Sequence, residues 1–133
     1  GKVFISVKNH DKPAAVQLAR DAIALGFSVV ATHGTAEALE KEGLDVTPVN
    51  KVQEGRPHIV DMMKNGDINL VFNTTESKQA VVDSFSIRRT ALTDDIPYYT
   101  TVAGARATLR AIDNLKRGAL AVRPVQEYLG DKY

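Results

Sequence analysis

Phe27-Ser28-Val29-Val30-Ala31-Thr32-His33-Gly34-Thr35-Ala36-Glu37-Ala38-Leu39-Glu40 decides the fold. Its first five residues form a compact, β-branched-rich run without a clean polar alternation, so they describe a strand covered by helices on both faces. The tight turn Thr32-His33-Gly34-Thr35 then leads into a short helix through Ala36, Leu39 and Glu40, closed by Gly43. A strand that turns at once into a helix is the repeating unit of a parallel α/β sheet.

The same alternation extends in both directions. Upstream, Val3-Phe4-Ile5-Ser6-Val7 reads as a strand. From Lys12 to Leu25, Ala15, Val16, Leu18, Ala19, Ala22, Ile23 and Leu25 recur at helical spacing, with Asp11 at the expected N-cap and Gly26 at the stop. Downstream, Asp45 to Val49 is a more polar strand, and Pro48 assigns it to a sheet edge, where a missing N–H is tolerated. Asn50 to Arg56 is a polar loop with a sharp turn at Gly55, and Pro57 opens a helix holding Ile59, Val60, Met62 and Met63. Ile68 to Phe72 is the fourth strand, and Lys78 to Thr93 a helix with Ala80, Val81, Ser84, Ile87 and Ala91 on one face. Ile96 to Tyr99 is a short fifth strand, and Val102 to Lys116 a helix carrying Ala105, Leu109, Ile112 and Leu115. Residues 123–133 receive no role. The expectation is one α/β domain over residues 1–133 with five βα units. Opening on a strand without an initiator methionine, it reads as a piece cut from a longer chain.

Composition narrows the function classes. Among 133 residues, 17 Lys+Arg balance 16 Asp+Glu to a net charge of +1, which offers no electrostatic argument for nucleic acid or an anionic membrane. There is no cysteine, so disulfides, thiolate catalysis and Cys-ligated metal are excluded. No apolar run approaches the roughly 20 residues of a membrane span, and the pattern points to a cytoplasmic domain. No HExxH, GxGxxG or GxxxxGK[ST] occurs, and no histidine pair has metal-ligand spacing, so neither metal nor catalytic residues are assigned.

In an open α/β sheet, ligands bind beyond the carboxyl ends of the strands. Polar residues gather there after four of them: Ser6 to Lys12, Thr32 to Thr35, Asn50-Lys51 and Asn73-Thr74-Thr75. Two hydroxyls, a glycine and a helix start are the parts of a phosphate cradle, with Lys12 and Lys51 available as ammonium groups. The same residues also suit a plain helix cap flanked by two solvated lysines. His10 and His33 titrate in the right range for a general base, but no nucleophile or orienting carboxylate is spaced to serve them. His58 is read as structural, and Arg88-Arg89 and Arg106/Arg110 as solvated helix faces. Tyr98-Tyr99-Thr100-Thr101 could touch a ligand or a neighbouring domain.

The set Ser6, Asp11-Lys12, Ala31-Thr32-His33-Gly34-Thr35, Val49-Asn50-Lys51-Val52, Glu54-Gly55-Arg56-Pro57-His58-Ile59, Asn73-Thr74-Thr75, Ile87-Arg88-Arg89 and Tyr98 to Thr101 closely resembles the C-terminal allosteric domains of bacterial carbamoyl phosphate synthetase large subunits. The resemblance spans essentially the whole chain. It implies the methylglyoxal-synthase-like fold, a Rossmann-like three-layer α/β/α sandwich with five parallel strands in the order 3-2-1-4-5. It also implies a parent ligase that makes carbamoyl phosphate from bicarbonate, glutamine-derived ammonia and ATP, for pyrimidine and arginine biosynthesis. ATP with its divalent metal belongs to other domains, and no cofactor is implied here.

By the same resemblance, UMP as inhibitor and IMP as activator share one site, and ornithine activates at a second. Ser6, Lys12, Thr32, Thr35 and Lys51 would hold the phosphate. Asn73, Thr75 and Asp83 would serve ribose and base, with Val52, Ile59 and Ile87 lining the base pocket. Tyr98 and Thr100 would contribute to the ornithine site, whose acidic partners lie in the rest of the large subunit. Further partners would be that remainder and, through it, the glutaminase small subunit. Methylglyoxal synthase shares the fold and the threonine turn, but its catalytic aspartates are absent from Glu54-Gly55-Arg56-Pro57 and Asn73-Thr74-Thr75. The alternatives are a lyase acting on dihydroxyacetone phosphate and a docking module with a vestigial pocket.

Overall fold

A strand that is apolar on both faces has to be covered twice, and the chain achieves this by distributing its helices over both sides of one sheet. The structure, a computed structural model, describes residues 1–51, 54–55, 58–74 and 78–121, with side chains left out at 78–83 and 119–121. In chain order the elements are β1 (Lys2–Ser6), a 3-10 turn (Asn9–Asp11), α1 (Lys12–Ala24), β2 (Ser28–Thr32), α2 (His33–Glu40), β3 (Val46–Val49), α3 (Ile59–Lys64), β4 (Leu70–Asn73), α4 (Lys78–Thr93), β5 (Tyr98–Tyr99) and α5 (Val102–Ala121). The five strands are all parallel, in the order β3-β2-β1-β4-β5. That is the order and architecture expected, with the Pro48 strand at an edge.

Because strand side chains alternate between faces, β1 feeds two separate cores. Val3 and Ile5 join Val29, Ala31, Leu70 and Phe72 in a cluster closed by Leu18 of α1, Leu39 of α2 and Leu109 of α5. Phe4 joins Val30 and Val71 in a second cluster, closed by Ile59 and Met63 of α3 and Ile87 and Ala91 of α4. Hence α1, α2 and α5 cover one face, and α3 and α4 the other. Gly26, at φ +96°, turns the chain out of α1, and the Lys116 ammonium on α5 donates to the Leu25 carbonyl there.

Several local expectations are corrected. Asp11 does not cap α1 with its side chain, because residues 9–11 already coil into a 3-10 turn and place Asp11 in helical geometry. Its carboxylate instead lies 3.9 Å from the Lys8 ammonium. Thr32-His33-Gly34-Thr35 is no free-standing turn: Thr32 ends β2, and His33 is already the first residue of α2. The third helix begins at Ile59, where His58 and Asp61 form a reciprocal capping box. Pro57 lies outside the described residues. The fifth strand shrinks to Tyr98–Tyr99, the length over which it pairs with β4. Leu115 of α5 is 74% exposed, because the face that packs on the protein runs through Ala105, Leu109 and Ile112 to Lys116, which reaches the Leu25 carbonyl.

Leu39 is fully buried between α2 and the sheet. Leu39→Ala should therefore cost about 2–5 kcal/mol in urea unfolding. Leu115→Ala should stay within about 0.5 kcal/mol of wild type in the same measurement.

Candidate functional site

The site is built where β1 ends. Register places Ser6 beside Asn73 of β4, and beside Thr32 through the adjacent Ile5–Ala31 and Thr32–Val49 pairs. Thr32, Ser6 and Asn73 therefore stand in one row across the carboxyl edge of the sheet. Neighbouring strands are about 4.8 Å apart, so the row presents its hydroxyl, hydroxyl and carboxamide within a span of roughly 10 Å. All three follow, two residues on, the side chains that feed the α3/α4 core: Val30, Phe4 and Val71.

The hydroxyls are tied to one another and to the chain leaving β1. The Thr32 hydroxyl lies 3.1 Å from Ser6 Oγ and 3.3 Å from Thr35 Oγ1. Thr35, almost wholly buried, accepts the Val7 N–H at 3.2 Å. On the far side, Thr74 Oγ1 accepts the Lys8 N–H at 3.0 Å, and the Thr74 N–H donates to the Ser6 carbonyl. Thr32 is the N-cap of α2, yet its side chain makes no capping bond to the helix backbone. The first-turn N–H groups of α2, with the positive end of its dipole, are left without their usual side-chain acceptor.

Lys12 reaches this point from α1. Its ammonium donates to Asn9 Oδ1 at 2.6 Å, and a Cβ added to Gly34 would stand 3.4 Å from Nζ. Glycine in the first turn of α2 thus lets a cation close over a helix N-terminus. Lys51 follows β3, half-buried, in a loop that closes on itself. Its N–H donates to Glu54 Oε1 at 2.7 Å, Gly55 takes φ +105°, and Asn50 bridges to His58. The His33 ring Nε2 lies 2.9 Å from Asn50 Oδ1 and ties α2 to this loop. His58 serves as the cap of α3, in line with its structural assignment.

The nucleoside positions divide. Asn73 is buried, and its Nδ2 donates to Ser84 Oγ on α4 at 2.9 Å and to the Tyr98 hydroxyl on β5 at 2.8 Å. Ile59 and Ile87 lie in the α3/α4 core at 0% and 4% exposure. Val52, Thr75 and the side chain of Asp83 lie outside the described residues. Tyr98 is half-buried beneath the Arg88 guanidinium, 5.7 Å from its ring centroid, while Thr100 is exposed beyond β5. Sequence reading marked Thr74 but missed Ser84 and Arg88 as parts of this edge. Ser84 carried the one available signal, a hydroxyl on an otherwise apolar helix face. Among the described residues no cluster of three metal-ligating side chains occurs, and no helix is long and apolar enough to cross a membrane.

Burial raises the ionisation of the Tyr98 phenol above its ordinary range, partly offset by the Asn73 hydrogen bond and the Arg88 charge. A folded-state pKa above the unfolded one adds stability below about pH 10 that is lost as pH climbs through the folded value. Tyrosinate absorbance at rising pH should show Tyr98 ionising last, and Tyr98→Phe should flatten the alkaline fall in stability.

A profile of the MGS-like domain family matches residues 14–100. A carbamoyl phosphate synthase large chain of Myxococcus xanthus is 55% identical over 130 residues, covering 98% of this chain and 12% of the relative. One of Brucella suis is 51% identical over 128 residues, covering 96% of this chain and 11% of the relative. The chain thus spans about an eighth or less of the length of these curated relatives. Among solved structures, methylglyoxal synthase from Elizabethkingia anophelis superposes with a TM-score of 0.67 at 17% identity, over 81% of this chain and 76% of that one. The structure named ForH gives 0.66 at 18% identity, over 85% and 78%. At such identities the superpositions speak for the fold alone.

Proposed function

The chain belongs to the MGS-like domain family, and from that membership we propose that it is the effector-binding regulatory domain of a carbamoyl phosphate synthase large chain. On this reading residues 1–133 form one regulatory unit at the C-terminal end of a longer, cytoplasmic subunit. Bicarbonate, ammonia and ATP chemistry belongs to the remainder of that subunit and to its glutaminase partner.

One observation carries the reading: three hydroxyls and the Lys12 ammonium converge at the N-terminus of α2, whose cap residue Thr32 makes no side-chain bond to the helix backbone. A dianionic phosphate ester answers every part of that arrangement. It accepts from hydroxyls and from first-turn N–H groups, and it neutralises the lysine and the helix dipole. Ser6, Lys12, Thr32 and Thr35 hold it, and Lys51 adds a second ammonium from the β3 loop. UMP and IMP share this anchor. Their ribose and base extend toward Asn73, Thr75 and Asp83, with Val52, Ile59 and Ile87 beside the base. Ornithine binds at Tyr98 and Thr100 only when the acidic groups of the remaining subunit complete that site. A carboxamide cannot take a proton near neutrality, so Asn73 suits recognition and not lyase chemistry on a triose phosphate.

Regulation then requires a difference in affinity between active and inactive forms of the synthase, typically about 1–3 kcal/mol. The phosphate anchor, common to both nucleotides, supplies affinity, and the base and ribose contacts set its sign.

Calorimetric titration of the chain with UMP, IMP, ornithine and inorganic phosphate tests this. Saturable nucleotide binding that phosphate competes away is the expected result, and ornithine should bind weakly or not at all. Lys12→Ala and Lys51→Ala should each weaken UMP and IMP alike by about 1.5–3 kcal/mol. A loss confined to one nucleotide would refute the shared anchor.

A further inference from the structure

Asn73 is a carboxamide at this edge and can read a ligand in two opposite ways. A carboxamide offers two N–H donors at one end and an acceptor oxygen at the other, and a free one rotates to suit whatever approaches. Here both N–H groups have protein partners, Ser84 Oγ at 2.9 Å and the Tyr98 hydroxyl at 2.8 Å. Among the described residues no donor reaches Oδ1. The side chain is only 3% exposed, and a buried acceptor without a partner costs more than a buried pair gains. The two hydroxyls come from different elements, α4 and β5, and Arg88 of α4 also lies over the Tyr98 ring at 5.7 Å. Two elements, α4 and β5, therefore converge on one carboxamide of β4.

Resting on the effector-site reading above, we propose that Ser84 and Tyr98 are positioning residues for Asn73. They occupy both N–H groups, leave the carbonyl oxygen as the only free function, and so make the nucleotide site select a ligand that brings a hydrogen-bond donor to that point. Two parts of a nucleoside monophosphate supply such a donor. One is the ring N–H of a base in which it stands beside a carbonyl, as in uracil or hypoxanthine. The other is the ribose 2′-hydroxyl. Cytosine and adenine present a bare acceptor nitrogen at the corresponding ring position and would meet oxygen with nitrogen, two acceptors facing each other.

The test is calorimetry on the 133-residue chain with UMP, CMP and 2′-deoxyuridine monophosphate, for wild type, Tyr98→Phe, Ser84→Ala and Asn73→Asp. The inference expects at least one analogue to bind roughly tenfold or more weakly than UMP: CMP if the donor is the ring N–H, the deoxynucleotide if it is the hydroxyl. Removing either hydroxyl frees one N–H and lets the carboxamide turn, so in Tyr98→Phe and Ser84→Ala that ratio should fall to within about twofold. Asn73→Asp keeps an acceptor and should keep the ratio even as its charge lowers affinity for every nucleotide. A purely structural role would weaken all three ligands together and leave the ratio unchanged in the hydroxyl variants, which would overturn the inference. Equal binding of all three ligands by wild type, or a preference for CMP as a reversed carboxamide would give, also overturns it while leaving the effector site standing. No saturable UMP binding by wild type takes down the effector-site reading and this inference with it.

Discussion

β1 is the central strand, and the N–H groups that follow it, on Val7 and Lys8, leave the sheet just where β2 and β4 turn away toward their helices. Buried backbone donors have to be paired, and no strand is left to pair with them. Two threonine hydroxyls take the place of the missing strands: Thr35 Oγ1 from α2 accepts from Val7, and Thr74 Oγ1 beyond β4 accepts from Lys8. The rest of the edge depends on this substitution. With Thr35 holding Val7, Ser6 stays in the row between Thr32 and Asn73, and α1 starts where Lys12 reaches Gly34.

The strand order explains why that edge is available. In the order β3-β2-β1-β4-β5, the chain leaving β1 crosses to β2 through α1 on one face and the chain leaving β4 crosses to β5 through α4 on the other, which puts the reversal of strand order between β1 and β4. The two hydrophobic clusters hold the sheet rigid from both faces and leave its carboxyl edge to polar side chains. The same alternation that sends Phe4, Val30 and Val71 into the α3/α4 core puts Ser6, Thr32 and Asn73 on that side one pleat further along. The polar row is thus a continuation of core packing by two residues.

Within the edge, side chains differ in the hydrogen-bonding capacity they keep. The Lys12 ammonium donates to Asn9 and has further N–H groups, while Thr35 and Thr74 each accept a backbone N–H and keep their hydroxyl proton to donate. Asn73 is the converse, engaged at nitrogen with its oxygen left over. Among the described residues, His33 ties α2 to the loop after β3 and His58 caps α3, so both imidazoles are engaged in loop and helix geometry.

The sequence by itself determined the α/β class, the position of each βα unit and the edge placement of the Pro48 strand, because periodicity and turn chemistry are local properties. It also marked Ser6, Lys12, Thr32, Thr35 and Asn73, since polar residues after buried strands stand out against an apolar background. It placed Asp11 correctly at the N-cap of α1 but not the missing side-chain bond, and it read Thr32 to Thr35 as a free turn. The 3-10 turn before α1 and the start of α2 at His33 are set by how the chain leaves the assembled sheet. Only the tertiary structure decided how these residues share their hydrogen bonds. Ser84 is separated from Asn73 by 11 residues and Tyr98 by 25, and nothing in either segment alone says that both hydroxyls will spend themselves on one carboxamide. Hydrogen-bond satisfaction is a property of the assembled edge, because each donor or acceptor is free or engaged only according to what the fold brings beside it.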